Sequence, residues 1–188
     1  MTAPSRQYTF DDYLSTEQAS AVRHEFLGGE IFAMAPGTPA HAALSAALVA
    51  LLAPRLEGRG GRAHGADLRI RVPATGLATY ADAAVIRGEP LHDPESPTHV
   101  TNPSVIVEVL GPATQAYDRG EKREHYQQLA SLGDYVLVAQ DRREIDVYTR
   151  TAGDSWRRTI YGPGQTVDLP SIDVQFAVDE LYDAAGVR

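Results

Sequence analysis

Two carboxylates stand alone inside apolar runs of this chain. Glu108 sits in the β-branched stretch Ser104–Leu110, bounded by Asn102-Pro103 and Gly111-Pro112; Asp82 sits among small and apolar neighbours in Thr79–Ile86. A charge in a buried strand is costly unless it is paired or bound to a metal. Two such acids on neighbouring strands repel each other unless a cation or a proton lies between them. Mg²⁺ suits that arrangement, because it accepts one or two protein carboxylates and keeps waters for a substrate phosphate. Asp118 and Lys122 follow Glu108, four residues apart and so on one face of a predicted helix, with Tyr126 one turn further on. Each residue also has a plainer reading. Either acid could lie at a strand end with its charge in solvent. Asp118 and Lys122 are also an ordinary surface pair worth a few tenths of a kcal/mol, and Tyr126 suits a core edge.

The remaining candidates are weaker by pattern. His41 lies near the start of an Ala-rich helix, where a lone imidazole is usually exposed. Glu25 and Glu30 flank Gly28-Gly29 and read as a solvated pair beside a hairpin turn. His24, His64, His92, His99 and His125 show no zinc-ligand spacing. No G-x-S-x-G elbow and no cysteine nucleophile is present, and Gly58–Gly61 lacks the Lys-Ser/Thr of a phosphate-binding loop. Arg55, Arg59, Arg62, Arg69 and Arg71 form the most basic stretch, either a phosphate-backbone contact or solvated faces.

The elements that must position these residues follow from pattern. Thr9-Phe10-Asp11-Asp12 is a capping-box-like helix start, giving a helix to about Ser20 with Phe10, Tyr13 and Leu14 inward. Arg23–Ala35 predicts a hairpin about Gly28-Gly29. Thr38-Pro39 is an N-cap and N1 pair, opening a helix to about Pro54 with a stripe of Leu44, Leu48, Leu51 and Leu52. Arg62–Val72 and Thr79–Ile86 each predict one strand, and Arg87–Asn102 an exposed loop. A helix over Ala116–Leu132 then leads to strands Asp134–Gln140, Glu144–Arg150, Ser155–Tyr161 and two within Thr166–Phe176, with a last helical turn at Asp179–Tyr182. The expected class is mixed α/β or α+β: a sheet covered by at least two helices, with 104–140 as a right-handed parallel crossover.

At 188 residues the chain suits one domain spanning 1–188, with residues 1–7 a frayed start. No apolar run reaches the roughly 18 residues of a membrane span, and no signal peptide is evident. The absence of cysteine excludes disulfides and thiolate metal sites and suits the cytoplasm. A net charge of −8 argues against a large phosphate-binding surface, but not against a small site where acids hold a cation.

The order of motifs resembles the Uma-two family of restriction endonucleases, in the PD-(D/E)XK nuclease superfamily. The matching pieces are RHEFLGGEIFAMAPG at 23–37, then His41, TYADAAVI at 79–86, PSVIVEVLGPAT at 103–114, YDRGEKREHY at 117–126 and SLGDYVLVAQ after it. The resemblance spans about residues 8–183. It implies a restriction-endonuclease-like core, a central mixed sheet flanked by helices. It implies that Asp82 and Glu108 are the acidic metal-binding positions, that Lys122 is the motif lysine displaced onto the following helix, and that Glu25 is an extra carboxylate, with His41, Asp118 and Tyr126 supporting. It further implies Mg²⁺ or Mn²⁺ as cofactor and DNA as substrate; the −8 charge then predicts weak DNA binding without the metal, or a homodimer that gathers the arginines into one groove. The chain departs from the family pattern at Ala81, where proline is usual, and at Gly111, where serine is usual. The alternatives are a catalytically inactive nucleic-acid-binding or regulatory module, a hydrolase of small phosphoesters, and a partner-binding protein whose acids are dispersed.

Overall fold

The computed structural model describes residues 7–187; all but the last of the seven residues expected to be frayed lie outside it. In chain order the elements are α1 (Phe10–Ala19), β1 (His24–Leu27), β2 (Glu30–Ala33), α2 (Pro39–Arg55), β3 (Gly61–Gly65), β4 (Arg69–Val72), β5 (Leu77–Tyr80) and β6 (Ala83–Arg87). They continue with β7 (His92–Asp93), β8 (Ser96–Val100), β9 (Val105–Leu110), α3 (Gln115–Arg119), α4 (Glu121–Tyr126), β10 (Asp134–Ala139) and β11 (Ile145–Arg150). The chain ends with β12 (Trp156–Tyr161), β13 (Thr166–Leu169), β14 (Val174–Ala177) and α5 (Val178–Ala185). No helix among the described residues is long and apolar enough to cross a membrane.

The fold is mixed α+β. The central sheet has the order β12-β11-β10-β9-β6-β3, in which only β9 and β10 are parallel neighbours. That pair is the expected crossover, carried by α3 and α4. A second sheet, β2-β1-β5-β4-β8-β7, packs across one face of the first. Period-2 alternation sorts the central strands between two cores. Val105, Val107, Val109, Val136 and Val138 face the leucines of α2 and the α5 end of the chain. Ile106, Leu110, Tyr135 and Leu137 face Ile70, Val72 and Leu77 of the second sheet. The second sheet turns its other face to α1, where Tyr13 packs on Phe26 and Ala78. The layers therefore run α1, second sheet, central sheet, α2.

The N-terminal elements form as expected. Thr9 and Asp12 cap α1 reciprocally, Thr38 caps α2 ahead of Pro39, and the hairpin turn places Gly28 and Gly29 at φ +59° and +83°, where a side chain is disfavoured. Four expectations are corrected. Residues 62–72 form two strands in different sheets, since the Gly65–Leu68 turn carries the chain from β3 across to β4. Residues 79–86 also split, β5 entering the second sheet and β6 the central one, with Ala81 and Asp82 at the crossing. Residues 87–102 hold the β7–β8 pair, with Asp93, Ser96, His99 and Val100 buried. The helix over 116–132 is two short helices broken at Gly120, which leaves helical geometry at ψ −103°, and it ends at Tyr126.

Candidate active site

The gap between the two sheets is where the acids meet. Glu108 shares its face of β9 with Ile106 and Leu110, so it points at the second sheet; Glu25 shares its face of β1 with Leu27 and points back. Lys122 enters between them from α4. Its Nζ lies 2.9 Å from Glu25 Oε1, 3.0 Å from Glu108 Oε1, 3.2 Å from the Tyr80 carbonyl and 4.0 Å from Asp118 Oδ1. Lys122 is the only lysine among the 17 basic residues and is 3% exposed. The surface-pair reading of Lys122 and Asp118 is thereby corrected: both are buried, and α3 and α4 turn both inward. Glu25 is likewise buried and bonded by Thr79, so only Glu30 of the presumed solvated pair is exposed.

Asp82 is set by the strand beside it. Just before β6 begins, its backbone N–H already donates to the Val107 carbonyl at 3.1 Å. Its carboxylate then takes the place of the missing strand, accepting the Val109 N–H on Oδ2 at 2.7 Å. His41 Nε2 lies 3.1 Å from the same oxygen, and Ser45 donates to the Asp82 carbonyl at 2.8 Å. The α2 helix thus fixes Asp82 from behind, and His41 is a partner of the acid rather than a solvated imidazole. Tyr126 donates to Glu108 Oε1 at 2.9 Å and is fully buried.

The electrostatics follow from burial and crowding. Burial pushes the Glu108 carboxyl well up; Lys122 opposes this, while Asp118 and Asp82 add to it. The Asp118 carboxyl is also raised, by burial first, against the pull of Lys122 and Thr114. Lys122 is held well above its ordinary value: burial opposes its charge, but Glu108, Tyr126, Glu25 and Asp118 together outweigh burial. It is therefore a fixed cation, and the lowered pKa that a basic amine would need is not present. His41 is raised chiefly by its hydrogen bond to Asp82.

Four carboxylates (Glu25, Asp82, Glu108 and Asp118) thus share one buried ammonium and one imidazole. The donors already present fall on Asp82 Oδ2 and Glu108 Oε1; Asp82 Oδ1 and Glu108 Oε2 accept no hydrogen bond from the described residues. Among the described residues no group of three or more His, Asp or Glu side chains is poised as a metal cage. Two free carboxylate oxygens in a site with surplus negative charge suit instead a hard cation that keeps most of its waters, as Mg²⁺ does.

Three contributors escaped the sequence reading. Thr79 and the Tyr80 carbonyl hold Glu25 and Lys122. Tyr117 turns to Glu25, and burial first, then that charge, pushes its phenol well up. A backbone carbonyl leaves no trace in residue type, and Tyr117 and Thr79 were visible only as neighbours of better candidates. The arginines from Arg55 to Arg71 do not gather: Arg55 pairs with Glu180, Arg59 with Asp173, Arg69 bonds Tyr80, and Arg71 is buried over Phe10.

The chain has relatives among known proteins. Residues 10–179 match the Uma2 family, described as "Putative restriction endonuclease". The Synechocystis protein slr1290, described as uncharacterized, is 34% identical over 181 residues, covering 96% of this chain and 94% of its own. A second Synechocystis protein, sll1609, also described as uncharacterized, is 28% identical over 159 residues, with 85% and 90% covered. The fold matches the crystal structure of "a putative nuclease belonging to DUF820" from Anabaena variabilis with a TM-score of 0.77 at 17% identity, over 94% of this chain and 98% of that one.

Proposed function

This chain belongs to the Uma2 family, and from that premise we propose that it is a metal-dependent endonuclease, a single restriction-endonuclease-like unit that hydrolyses phosphodiester bonds in DNA. The observation that carries the reading is the convergence of Lys122 with Glu108 and Glu25, beside an Asp82 anchored to the residue after Glu108. Dispersed acids, which a purely partner-binding protein would show, are not what the fold contains.

Asp82 and Glu108 would hold the divalent cation, Mg²⁺ or Mn²⁺, which when bound supplies a polarised scissile phosphate and an acidified water. The chain's own residues do the rest. His41 and the Val109 N–H hold Asp82 so that its other oxygen faces the site. Tyr126 fixes the Glu108 rotamer. Lys122 keeps its proton and lies where it can donate to a non-bridging phosphate oxygen as charge builds on it, which is preorganised electrostatic stabilisation. A homodimer, which would present one such site to each strand of a duplex, belongs to the proposal.

The test is Mg²⁺-dependent nicking of supercoiled plasmid. Asp82→Asn keeps an acceptor for the Val109 N–H but removes the charge, and Lys122→Met keeps the stem but removes the ammonium. Each should slow cleavage by about 10²–10³-fold with the melting transition retained. Undiminished cleavage in either variant would sink the assignment. A folded wild-type protein that binds DNA without cutting it would favour the inactive-module reading, which the departures at Ala81 and Gly111 keep in view.

A further inference from the structure

We propose that the face formed by α3, α4, β11 and β12 is the surface that grips the phosphate backbone of duplex DNA, leading it to the acidic cluster. The two short helices carry two registers. Asp118 and Lys122 turn inward; Arg119 and Arg123, one residue on in each case, lie against β11. There Tyr148 pairs with Arg158 and Arg150 with Trp156 across β11 and β12. In a chain of net charge −8, Arg119, Arg123, Arg150 and Arg158 are brought to one face, with Asp146 as the buried counter-charge for two of them. Arg150 is spent on the carbonyls of Gln127, Leu129 and Leu132 and on Asp154 at 3.0 Å, so it builds the face rather than binding from it.

The form of the patch points to phosphates rather than bases. Arg123 stacks 4.8 Å from the Tyr148 ring centre and Arg158 lies 5.8 Å from it, while Arg150 covers Trp156 at 4.6 Å. The aromatic faces are thus already occupied by guanidinium groups, and stacking of splayed bases, the usual mode for single strands, is blocked. A stacked guanidinium keeps its in-plane N–H edge for a phosphate. The Arg123 guanidinium makes no hydrogen bond with the described residues and its Nε is buried without a partner. Both guanidinium groups on Asp146 use Oδ2, leaving Oδ1 buried and unbonded. The donor left open for a phosphate is therefore Arg123; the unbonded Asp146 Oδ1 is an acceptor that a phosphate does not serve. The choice of DNA rests on the nuclease reading above; the patch itself rests on these contacts.

The test is fluorescence anisotropy of the full chain with a labelled 20-base-pair DNA duplex in EDTA, over a salt series. Arg123→Gln with Arg158→Gln should weaken binding about 10-fold or more and reduce the salt slope by about 2. Arg62→Gln with Arg87→Gln, at the opposite edge of the central sheet, should bind as wild type. Arg123→Gln alone removes no hydrogen bond, so it carries the test if the double variant unfolds; it should reduce the slope by about 1. Equal binding by wild type and patch variants, equal loss at the β3 edge, no binding of duplex by wild type, or tighter binding of a duplex RNA of the same sequence would each overturn the proposal. Turnover of bis(4-nitrophenyl) phosphate separates the two readings. Patch-dependent binding without any metal-dependent turnover leaves this surface standing and removes the nuclease; turnover with patch-independent binding does the reverse.

Discussion

At Lys122 the ammonium has three N–H bonds to give, and three acceptors lie at hydrogen-bond distance: Glu25, Glu108 and the Tyr80 carbonyl. To serve a phosphate oxygen, the amine must release one of them. Glu25 is the natural one to yield, since Glu108 faces the cation side and the carbonyl is fixed by β5. Glu25 Oε1 already receives Thr79 and Lys122, and Tyr117 lies against the same carboxylate. That crowding makes Glu25 a positioning residue for the amine more readily than a metal ligand. Glu25→Gln keeps an acceptor and removes the charge. Cleavage should fall about 10-fold while the Mg²⁺ concentration giving half-maximal rate stays put; a shift of that concentration upward would return Glu25 to the metal. Asp82 and Glu108 stood out in the sequence because a lone charge in an apolar run must be accounted for; Lys122, in a polar stretch, read by pattern as a surface pair with Asp118 and was singled out by the family resemblance. Glu25 was legible only through family resemblance, since its own surroundings, a short strand beside a glycine turn, resemble those of any exposed hairpin.

Among the elements, the long regular ones were readable and the short ones were not. The α2 helix announces itself by its cap and leucine stripe, β9 and β10 by their unbroken apolar runs, because each buries one continuous face. The second sheet defeats that logic. Its strands β4 and β5 are four residues each and are continuous in pattern with the elements beside them. The break at Ala81-Asp82 arises from which sheet each half joins, a tertiary fact. The β7–β8 pair was hidden because its buried positions include polar residues: Ser96 and Asp93, and His99 at 0% exposure. His99 anchors that strand to α1, lying 3.4 Å from the Tyr13 hydroxyl and 2.8 Å from Ser96, with Arg69 and Arg71 nearby. Burial, then those two cations, push its pKa down to about 4. A folded value below the unfolded one means stability that is complete above pH 6.5 and lost as pH falls toward 4. Over that window the wild type should lose roughly 3 kcal/mol from this residue. His99→Gln keeps hydrogen bonding without the titration. Urea unfolding at several pH values should show the two stability curves converging as pH falls; parallel curves would mean that His99 is accessible to protons in the folded state.

Across the whole molecule, charge is distributed unevenly, and the proposed cation would act on stability where acids are in excess. Several acids pair with arginines at the surface, as Glu180 does with Arg55 and Asp179 with Arg143. The interior site has Glu25, Asp82, Glu108 and Asp118 against Lys122 and His41 alone. Bringing the two sheets together therefore works against electrostatic repulsion, in return for the apolar contacts of Ile70, Leu77, Ile106 and Leu137 on either side. Burial first, and the neighbouring acids after it, raise the Glu108 and Asp118 carboxyls. A divalent cation that binds the folded state alone must stabilise it by mass action, about 2.7 kcal/mol at one hundred times its dissociation constant. Because the ion displaces protons, its affinity should rise with pH. Thermal melting with Mg²⁺ against an equal ionic strength of NaCl should show an upward shift specific to Mg²⁺, larger at pH 8 than at pH 6. Surface charges feel both salts alike through screening, so the difference isolates the site. Asp82→Asn combined with Glu108→Gln should abolish the difference while leaving the NaCl response in place. A Mg²⁺ shift that survives in that double variant would place the cation somewhere other than between the sheets.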